Sequence, residues 1–466
     1  MLFSSLEFLF LFLPLCLAIY FIVPTKARNA VLLLFSLVFY GFGEPVYLFL
    51  MVATILVDWF LGLAIERFAK TASSKKALLV LAVSLNILSL AFFKYYDFIV
   101  SFIPFASPLG LSLPIGISFY TFQSLTYVID IYRENAKAAT SPLLPATYIT
   151  LFPQLIAGPI VKYNDIECDL RSRIHSLSSF TYGIRRFVIG LAKKVLLANT
   201  AGAMFESIKN SSSLYGTDTL GAWLCVIFFA FQIYFDFSGY SDMAIGLGKL
   251  FGFTFPENFN YPYISVSITD FWRRWHITLS SFFRGYLYIP LGGNRRGKLR
   301  TYINLFIVWS ATGIWHGAGI NFLLWGLYFF ILLSTEKLFL LTLLKKLPKF
   351  FCHIYAIVAI LFGWLIFASD GITLSASEAF NLAKAMLGIS SPLFSSYSLY
   401  EFKRNLFPIA IMCAASIPAF SKLGQKLFDS NSIGKAVTNL LSSVLFILCT
   451  AYLVSSGYNP FLYFRF

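Results

Sequence analysis

Charge is scarce in this chain. Only 12% of its 466 residues are Asp, Glu, Lys or Arg, where a soluble protein of ordinary composition carries about 25%. Acidic residues are fewest, 21 against 36 basic ones, and histidine occurs four times. That poverty excludes an ordinary water-soluble domain of this length. Cysteine is sparse as well: Cys16, Cys168, Cys225, Cys352, Cys413 and Cys449 are scattered, mostly in apolar runs. None has metal-ligand spacing, and Cys352-His353 is only an adjacent pair, so no structural metal is expected. There is no Walker loop and no dinucleotide fingerprint. Ser238 and Ser241 lack the Gly-x-Ser-x-Gly context of a hydrolase nucleophile. No alternating ten-residue pattern supports a transmembrane barrel, and neither an internal repeat nor a low-complexity linker is present.

What is abundant is apolar sequence. Hydrophobic residues make up 58% of the chain and phenylalanine alone contributes 53. Runs near 20 apolar residues recur from end to end. In lipid every backbone polar group must pair within its own segment, so these runs predict an all-α polytopic membrane protein. We expect one integral-membrane domain over residues 1–466, with about 11–13 transmembrane or re-entrant helices plus amphipathic interfacial ones. The formal charge of +15 would suggest nucleic acid in a soluble protein. Here Lys and Arg gather in short loops between apolar runs, as membrane topology demands, and no nucleic-acid partner is expected.

The first five spans fall at roughly 5–24, 29–43, 46–64, 77–96 and 113–131. The run from Phe8 to Val23 lacks the basic flank of a signal peptide and is read as a span of the mature protein. Lys26 and Arg28, then Arg67, Lys70, Lys75 and Lys76, then Arg133 and Lys137 occupy alternate loops. This pattern predicts basic loops in the cytoplasm and the N-terminus outside. The stretch 143–161 is apolar but broken by Pro145, Pro153, Gly158 and Pro159, which predicts a re-entrant segment. Residues 182–199 read as a helix with one basic side, carrying Arg185, Arg186, Lys193 and Lys194 and lying at the interface. A span at roughly 218–235 should end where a polar island, Asp236 to Asp242, begins. Further spans are expected at roughly 302–315, 319–336, 350–368, 406–420 and 436–455, with an amphipathic helix at 374–387.

The chemistry-bearing residues concentrate between Phe235 and Trp325. His316 lies in Gly313-Ile-Trp-His-Gly-Ala-Gly319, within a mostly apolar stretch. The glycines predict a helix break there and close approach of backbone or substrate. An ionisable group in such surroundings is expensive, so a functional role competes with that of a buried, hydrogen-bonded core histidine. His276 shares a helical face with Trp272, Trp275, Leu279 and Phe283 at three- and four-residue steps. It is a core anchor or a tunnel histidine. Asp270 is placed to cap the helix that follows it. Asp236 could polarise a histidine or neutralise an arginine, and Asp242 lies six residues further on. Arg273, Arg274, Arg284, Arg295, Arg296, Lys298 and Arg300 are loop charge or a site for a phosphate-bearing donor.

The ordered set Asp236-Phe-Ser-Gly-Tyr-Ser-Asp242, Pro256-Glu-Asn-Phe-Asn-Tyr-Pro-Tyr263, Phe271-Trp-Arg-Arg-Trp-His276, Tyr286-Leu-Tyr-Ile-Pro-Leu-Gly-Gly-Asn294, Gly313-Ile-Trp-His-Gly-Ala-Gly319 and Trp325-Gly326 resembles the membrane-bound O-acyltransferase (MBOAT) family. Gln154-Leu-Ile-Ala-Gly-Pro159 and the opening Met1-Leu-Phe-Ser-Ser fit as well, so the likeness covers essentially the whole chain. Within the family it is most similar to the bacterial branch of alginate and peptidoglycan O-acetyltransferases and D-alanyl transfer proteins. One departure is Phe282-Phe-Arg-Gly285, where many relatives carry an acidic residue before the tyrosine. The resemblance implies catalytic roles for His316 and His276. It implies substrate contacts for Asp236, Ser238, Tyr240, Trp272, Arg273, Arg274, Trp275, Asn294, Trp315 and Asn321. It further implies a multi-pass protein of the bacterial cytoplasmic membrane, with no bound cofactor and with acetyl-CoA as co-substrate. The acceptor would be an extracytoplasmic polysaccharide, with a partner acetyltransferase protein completing transfer. Two rival readings are D-alanyl transfer to teichoic acid from an acyl carrier protein and a transporter with Asp236, Asp242 and His316 as a proton relay.

Overall fold

The computed structural model describes residues 1–103, 105–156, 158–210, 218–389, 391–428, 432–457 and 459. Among these residues the secondary structure is helical throughout, without a strand, and the protein is an all-α, multi-pass membrane protein. Seven helices of the described residues are long and apolar enough to cross a bilayer: Tyr47–Phe68, Ala72–Val100, Leu177–Lys209, Thr219–Leu250, Ile320–Leu344, Lys349–Ala368 and Ile433–Ser455. Phe8–Ile22 and Leu406–Ala415 are shorter apolar helices. The larger number expected from hydropathy counts such short and broken segments as well.

The chain forms two compact units, one of Met1–Leu191 with Tyr240–Glu257, the other of Ala192–Gly239 with Asn258–Phe466. In the first, an aromatic knot gathers the N-terminus: Phe3 lies 4.9 Å from Phe8, 5.6 Å from Phe39 and 4.4 Å from Tyr240, ring centre to ring centre. The expected break in 143–161 is real. Leu143–Thr150 and Phe152–Leu155 are separate short helices, and Pro153 sits in the first turn of the second, where a missing N–H is tolerated. The freed carbonyls find side chains. Gln154 Nε2 donates to Tyr148 O at 2.6 Å and Tyr148 Oη to Val161 O at 2.7 Å, so buried backbone outside the helices keeps its partners. Asp58, fully buried, receives both its bonds from Asn86 Nδ2 at 2.9 and 3.0 Å.

Two expectations are corrected here. The polar island does not end the span before it but lies inside one helix, Thr219–Leu250. Asp236, Ser238, Ser241 and Asp242 are all buried, and the helix continues because its acids meet cations. Those cations come from the stretch read as an interfacial basic helix. Leu177–Lys209 is a span-length helical run, and it turns Arg186 and Lys194 inward. Arg186 pairs with Asp242 at 2.7 Å and with Glu257 at 2.6 Å in the first unit. Lys194 pairs with Asp236 at 2.8 Å in the second.

In the second unit the helices Lys298–His316 and Ile320–Thr335 form a tight hairpin. A Cβ at Gly313 would run into the Phe322 carbonyl, and one at Gly326 into the Trp309 carbonyl. The glycines therefore set the distance between the two helix backbones. The predicted amphipathic helix appears as Ala376–Met386, opened by a capping box of Ser375 and Glu378.

Candidate active site

His316 ends the Lys298–His316 helix, and Gly317 leaves it in extended backbone before the next helix starts at Ile320. The break that the glycines predict is thus present. The imidazole is buried within an aromatic wall, 4.9 Å from Trp315, 4.9 Å from Trp325 and 5.4 Å from Phe367 between ring centres. Six of the chain's eight tryptophans belong to this neighbourhood: Trp272, Trp275, Trp309, Trp315, Trp325 and Trp364, linked ring to ring. Such packing excludes water and strengthens every polar interaction that remains.

His276 departs from expectation. It is not on a continuous helix with Trp272 and Phe283. The helix Ile268–Trp272 stops, and His276 takes left-handed backbone, φ +43°, before Ile277–Phe283 begins. Asn258 imposes the break. Its carbonyl accepts from Ile277 N at 3.0 Å. Its Oδ1 accepts from Thr278 N at 3.3 Å and from Thr278 Oγ1 at 2.8 Å. A residue far upstream therefore caps the second helix, which periodicity cannot reveal.

The same atom assigns the His276 tautomer. Asn258 Oδ1 lies 3.1 Å from His276 Nδ1 and already receives the Thr278 amide, so it is an acceptor and Nδ1 must donate. Nε2 then carries the lone pair, and it is buried with no hydrogen-bond partner among the described residues. Phe237 meets the ring edge-on at 4.6 Å and Trp315 lies 6.2 Å away. Burial first, and the neighbouring His316 second, hold the His276 pKa well below its ordinary value of 6.5. The sign of the pH effect follows. The unfolded chain takes up the proton before the folded one, so this contribution to stability is intact above pH 6.5. It is lost as pH falls toward the folded pKa, at no more than about 1.4 kcal/mol per pH unit. Thermal unfolding of the detergent-solubilised protein should show a midpoint that drops between pH 7.5 and 5.5. His276→Asn should flatten that dependence, because Asn tolerates left-handed backbone and carries no titrating ring. An unchanged slope in the Asn variant would assign the acid sensitivity to other groups.

A cavity of about 320 Å³ is lined by Trp272, Arg273, Arg284, Tyr288, Trp309 and Thr312 among others, and by neither histidine. Thr312 is one turn before His316 on the same helix, and residues four apart share a face. The cavity is thus largely apolar with two guanidiniums on its wall.

The remaining candidates divide. Arg273 and Trp272 line the cavity. Trp315 stands between the two histidines, and Trp275 packs on Trp364 at 4.7 Å. Arg274 instead pairs with Asp270 at 2.9 Å and donates to Asn260 O at 3.2 Å. Asp270 follows the N-cap Ser267, whose Oγ receives the Asp270 amide at 3.0 Å. Asn321 Nδ2 donates to Phe367 O at 3.1 Å and so steadies the ring that packs on His316. Asn294 is exposed in the Gly292-Gly293 turn, and it is Asn304 that grips this turn, through Gly293 O at 2.8 Å. Asp236 is engaged by Lys194, and Ser238 is buried one turn-fraction along the same helix. Tyr240 belongs to the first unit, stacked on Phe3.

Three residues have a positioning role that the sequence does not reveal. Asn258 is one. Lys194 is another, donating also to Asn199 Oδ1 at 2.9 Å. The third is Glu336, whose buried carboxylate accepts from Ile268 N at 2.6 Å, Thr269 N at 2.8 Å, Thr269 Oγ1 at 2.6 Å and Tyr355 Oη at 3.2 Å. It caps the helix that carries Trp272 into the cavity. Only Asn258, within the Pro256-Glu-Asn motif, has a signal that could have drawn notice. Among the described residues no three His, Cys, Asp or Glu side chains come together as a metal-ligand set.

A buried imidazole at a helix break, a second imidazole of fixed tautomer and, one turn back along the His316 helix, a largely apolar cavity make up the candidate site. The profile of the membrane-bound O-acyltransferase family, MBOAT, matches residues 46–377, and the chain belongs to this family. It is an O-acyltransferase. It is 35% identical to the protein of Pseudomonas putida named "Probable alginate O-acetylase AlgI", with all of both chains covered. It is 34% identical to the "Peptidoglycan O-acetyltransferase" of Helicobacter pylori, covering all of this chain and 98% of that one. With the "Teichoic acid D-alanyltransferase" of Bacillus subtilis it shares 30% identity over 55% of this chain and 67% of the other.

Proposed function

We propose that this protein moves an acetyl group from a cytoplasmic thioester, acetyl-CoA, toward hydroxyls of an extracytoplasmic polysaccharide such as alginate or peptidoglycan. The observation that carries the reading is the cavity that runs along the His316 helix to Thr312 with Arg273 and Arg284 on its wall. An apolar interior suits the pantetheine arm and acetyl group of the donor, and guanidiniums suit its phosphates. Full-length similarity to two O-acetylating enzymes supports acetyl as the group carried. His316 is the general base. As the acceptor oxygen attacks the thioester carbonyl, the imidazole takes the hydroxyl proton, a C–O bond forms and the C–S bond breaks. The proton then passes to the departing thiolate. His276, neutral and lone-pair-bearing at Nε2, holds a hydroxyl in line. A partner acetyltransferase outside the membrane completes delivery to the polymer.

The test is transfer of labelled acetyl from acetyl-CoA to a hydroxyl acceptor by the purified full chain. Arg273→Gln combined with Arg284→Gln should raise KM for acetyl-CoA by about 10²–10⁴-fold while leaving kcat close to normal, since charge-assisted bonds contribute about 1.5–3 kcal/mol each. Transfer that fails with acetyl-CoA and requires a charged acyl carrier protein would move the assignment to D-alanyl transfer.

A further inference from the structure

A second basic cluster, made of other residues than the candidate active site, lies within the first unit. Tyr20 is its centre. The buried Tyr20 Oη donates to Phe251 O at 2.9 Å and lies 3.0 Å from His175 Nε2. Arg28 Nη1 lies 3.3 Å from His175 Nδ1. A guanidinium can only donate, so Nδ1 accepts, and the proton on the ring is at Nε2, directed at Tyr20. The imidazole is therefore neutral, and burial together with Arg28 and Arg173 shifts its pKa downward. The Arg28 guanidinium lies 5.1 Å above the Tyr20 ring and 5.6 Å from that of Phe21. Arg173 covers Phe253 at 4.6 Å and Tyr20 at 5.8 Å.

Two like charges are thus held around one ring, and neither forms an ion pair among the described residues. The carboxylate that acts on Arg173, Asp169, accepts from Thr254 N at 3.1 Å. Arg28 Nε and Arg173 Nη1 are buried without a hydrogen-bond partner among the described residues. Unmet guanidinium donors of this kind are costly unless an anion receives them. The residues around them in sequence are apolar and outward: Ile22 is 82% exposed, Ile174 87% and Leu177 83%. A free phosphate has no use for such a rim, whereas acyl chains do.

We propose that Arg28, Arg173 and the neutral His175 form a binding site for the phosphodiester of an anionic phospholipid, with its acyl chains against Ile22, Ile174 and Leu177. A monoanionic headgroup offsets one of the two guanidinium charges, whereas a zwitterionic one brings a further cation to them. The site is distinct from the acyl-transfer residues and is independent of the donor and acceptor proposed above.

The full chain in neutral detergent should gain about 2–4 °C in thermal midpoint with phosphatidylglycerol, and show no gain with phosphatidylcholine or inorganic phosphate at equal concentration. Arg28→Gln combined with Arg173→Gln should abolish the gain. An equal gain in that variant overturns the site, and a gain reproduced by inorganic phosphate reduces it to a small-anion site. If the variant does not fold, photoactivatable phosphatidylglycerol decides on the wild-type chain. Crosslinks within 20–28 and 170–178 support the proposal, and crosslinks confined to other segments refute it.

Discussion

His316→Gln should yield a folded, membrane-inserted protein that transfers almost no acetyl group. Gln fills much of the space between Trp315, Trp325 and Phe367 and can still hydrogen-bond, so the aromatic wall keeps its packing. What it cannot do is accept a proton from an alcohol as the oxygen attacks. General-base catalysis contributes on the order of 10²–10⁴-fold in rate, and a loss of that size with unchanged protein level is the expected result. His316→Ala should behave alike. His276 contrasts with it: Asn or Gln there should keep part of the activity, because its Nδ1 partner needs only a donor and the ring acts by hydrogen bonding. The readout is acetyl ester content of the polymer in cells expressing each variant, normalised to membrane-inserted protein. Near-normal esterification with His316→Gln would leave that histidine as a packing residue and remove the base from the mechanism.

The largest stability effect should come from Lys194. Its ammonium and the Asp236 carboxylate are both deeply buried, 2% and 4% exposed, and 2.8 Å apart. Removing the cation alone strands a charge away from water. Lys194→Met should therefore cost about 3–5 kcal/mol, seen as a large fall in thermal midpoint or as loss of monodisperse protein. Lys194→Met with Asp236→Leu should recover most of it, since replacing a buried pair by apolar groups is near neutral. The double variant also separates roles. If it folds but does not transfer acetyl, the pair serves transfer as well as stability. A single Lys194→Met variant as stable as wild type would show that the pair is not a structural element.

These residues also mark how far the sequence could be read. The class of fold was legible because lipid enforces it: apolar runs near 20 residues have few structural alternatives. The break at His316 was legible from the three glycines around it. The left-handed turn at His276 was not, since Trp272, Trp275, Leu279 and Phe283 fall on helical steps whether or not the helix is continuous. The interruption comes from Asn258, whose hydrogen bonds to 277 and 278 are tertiary. Lys194 was misplaced for the same reason. Basic residues near an apolar run are usually at an interface, and only the pairing with Asp236, on another helix, brings this one inside. Glu336 capping a helix almost seventy residues upstream leaves no local trace at all.

The positive φ at His276 has a consequence for any survey of mutational tolerance. Left-handed backbone is open to Gly, Asn and Asp and nearly closed to β-branched side chains. Valine, isoleucine and threonine at 276 would score as null for torsional reasons before chemistry is asked anything of the residue. A saturation library read only as active or inactive would count those losses as catalytic. The informative comparison is within the torsionally admissible set, where Gly and Asn keep the chain direction and differ from His only in what the side chain can offer. At His316, in ordinary helical backbone at the C-terminal turn, no such filter operates, and intolerance there reports on the imidazole itself.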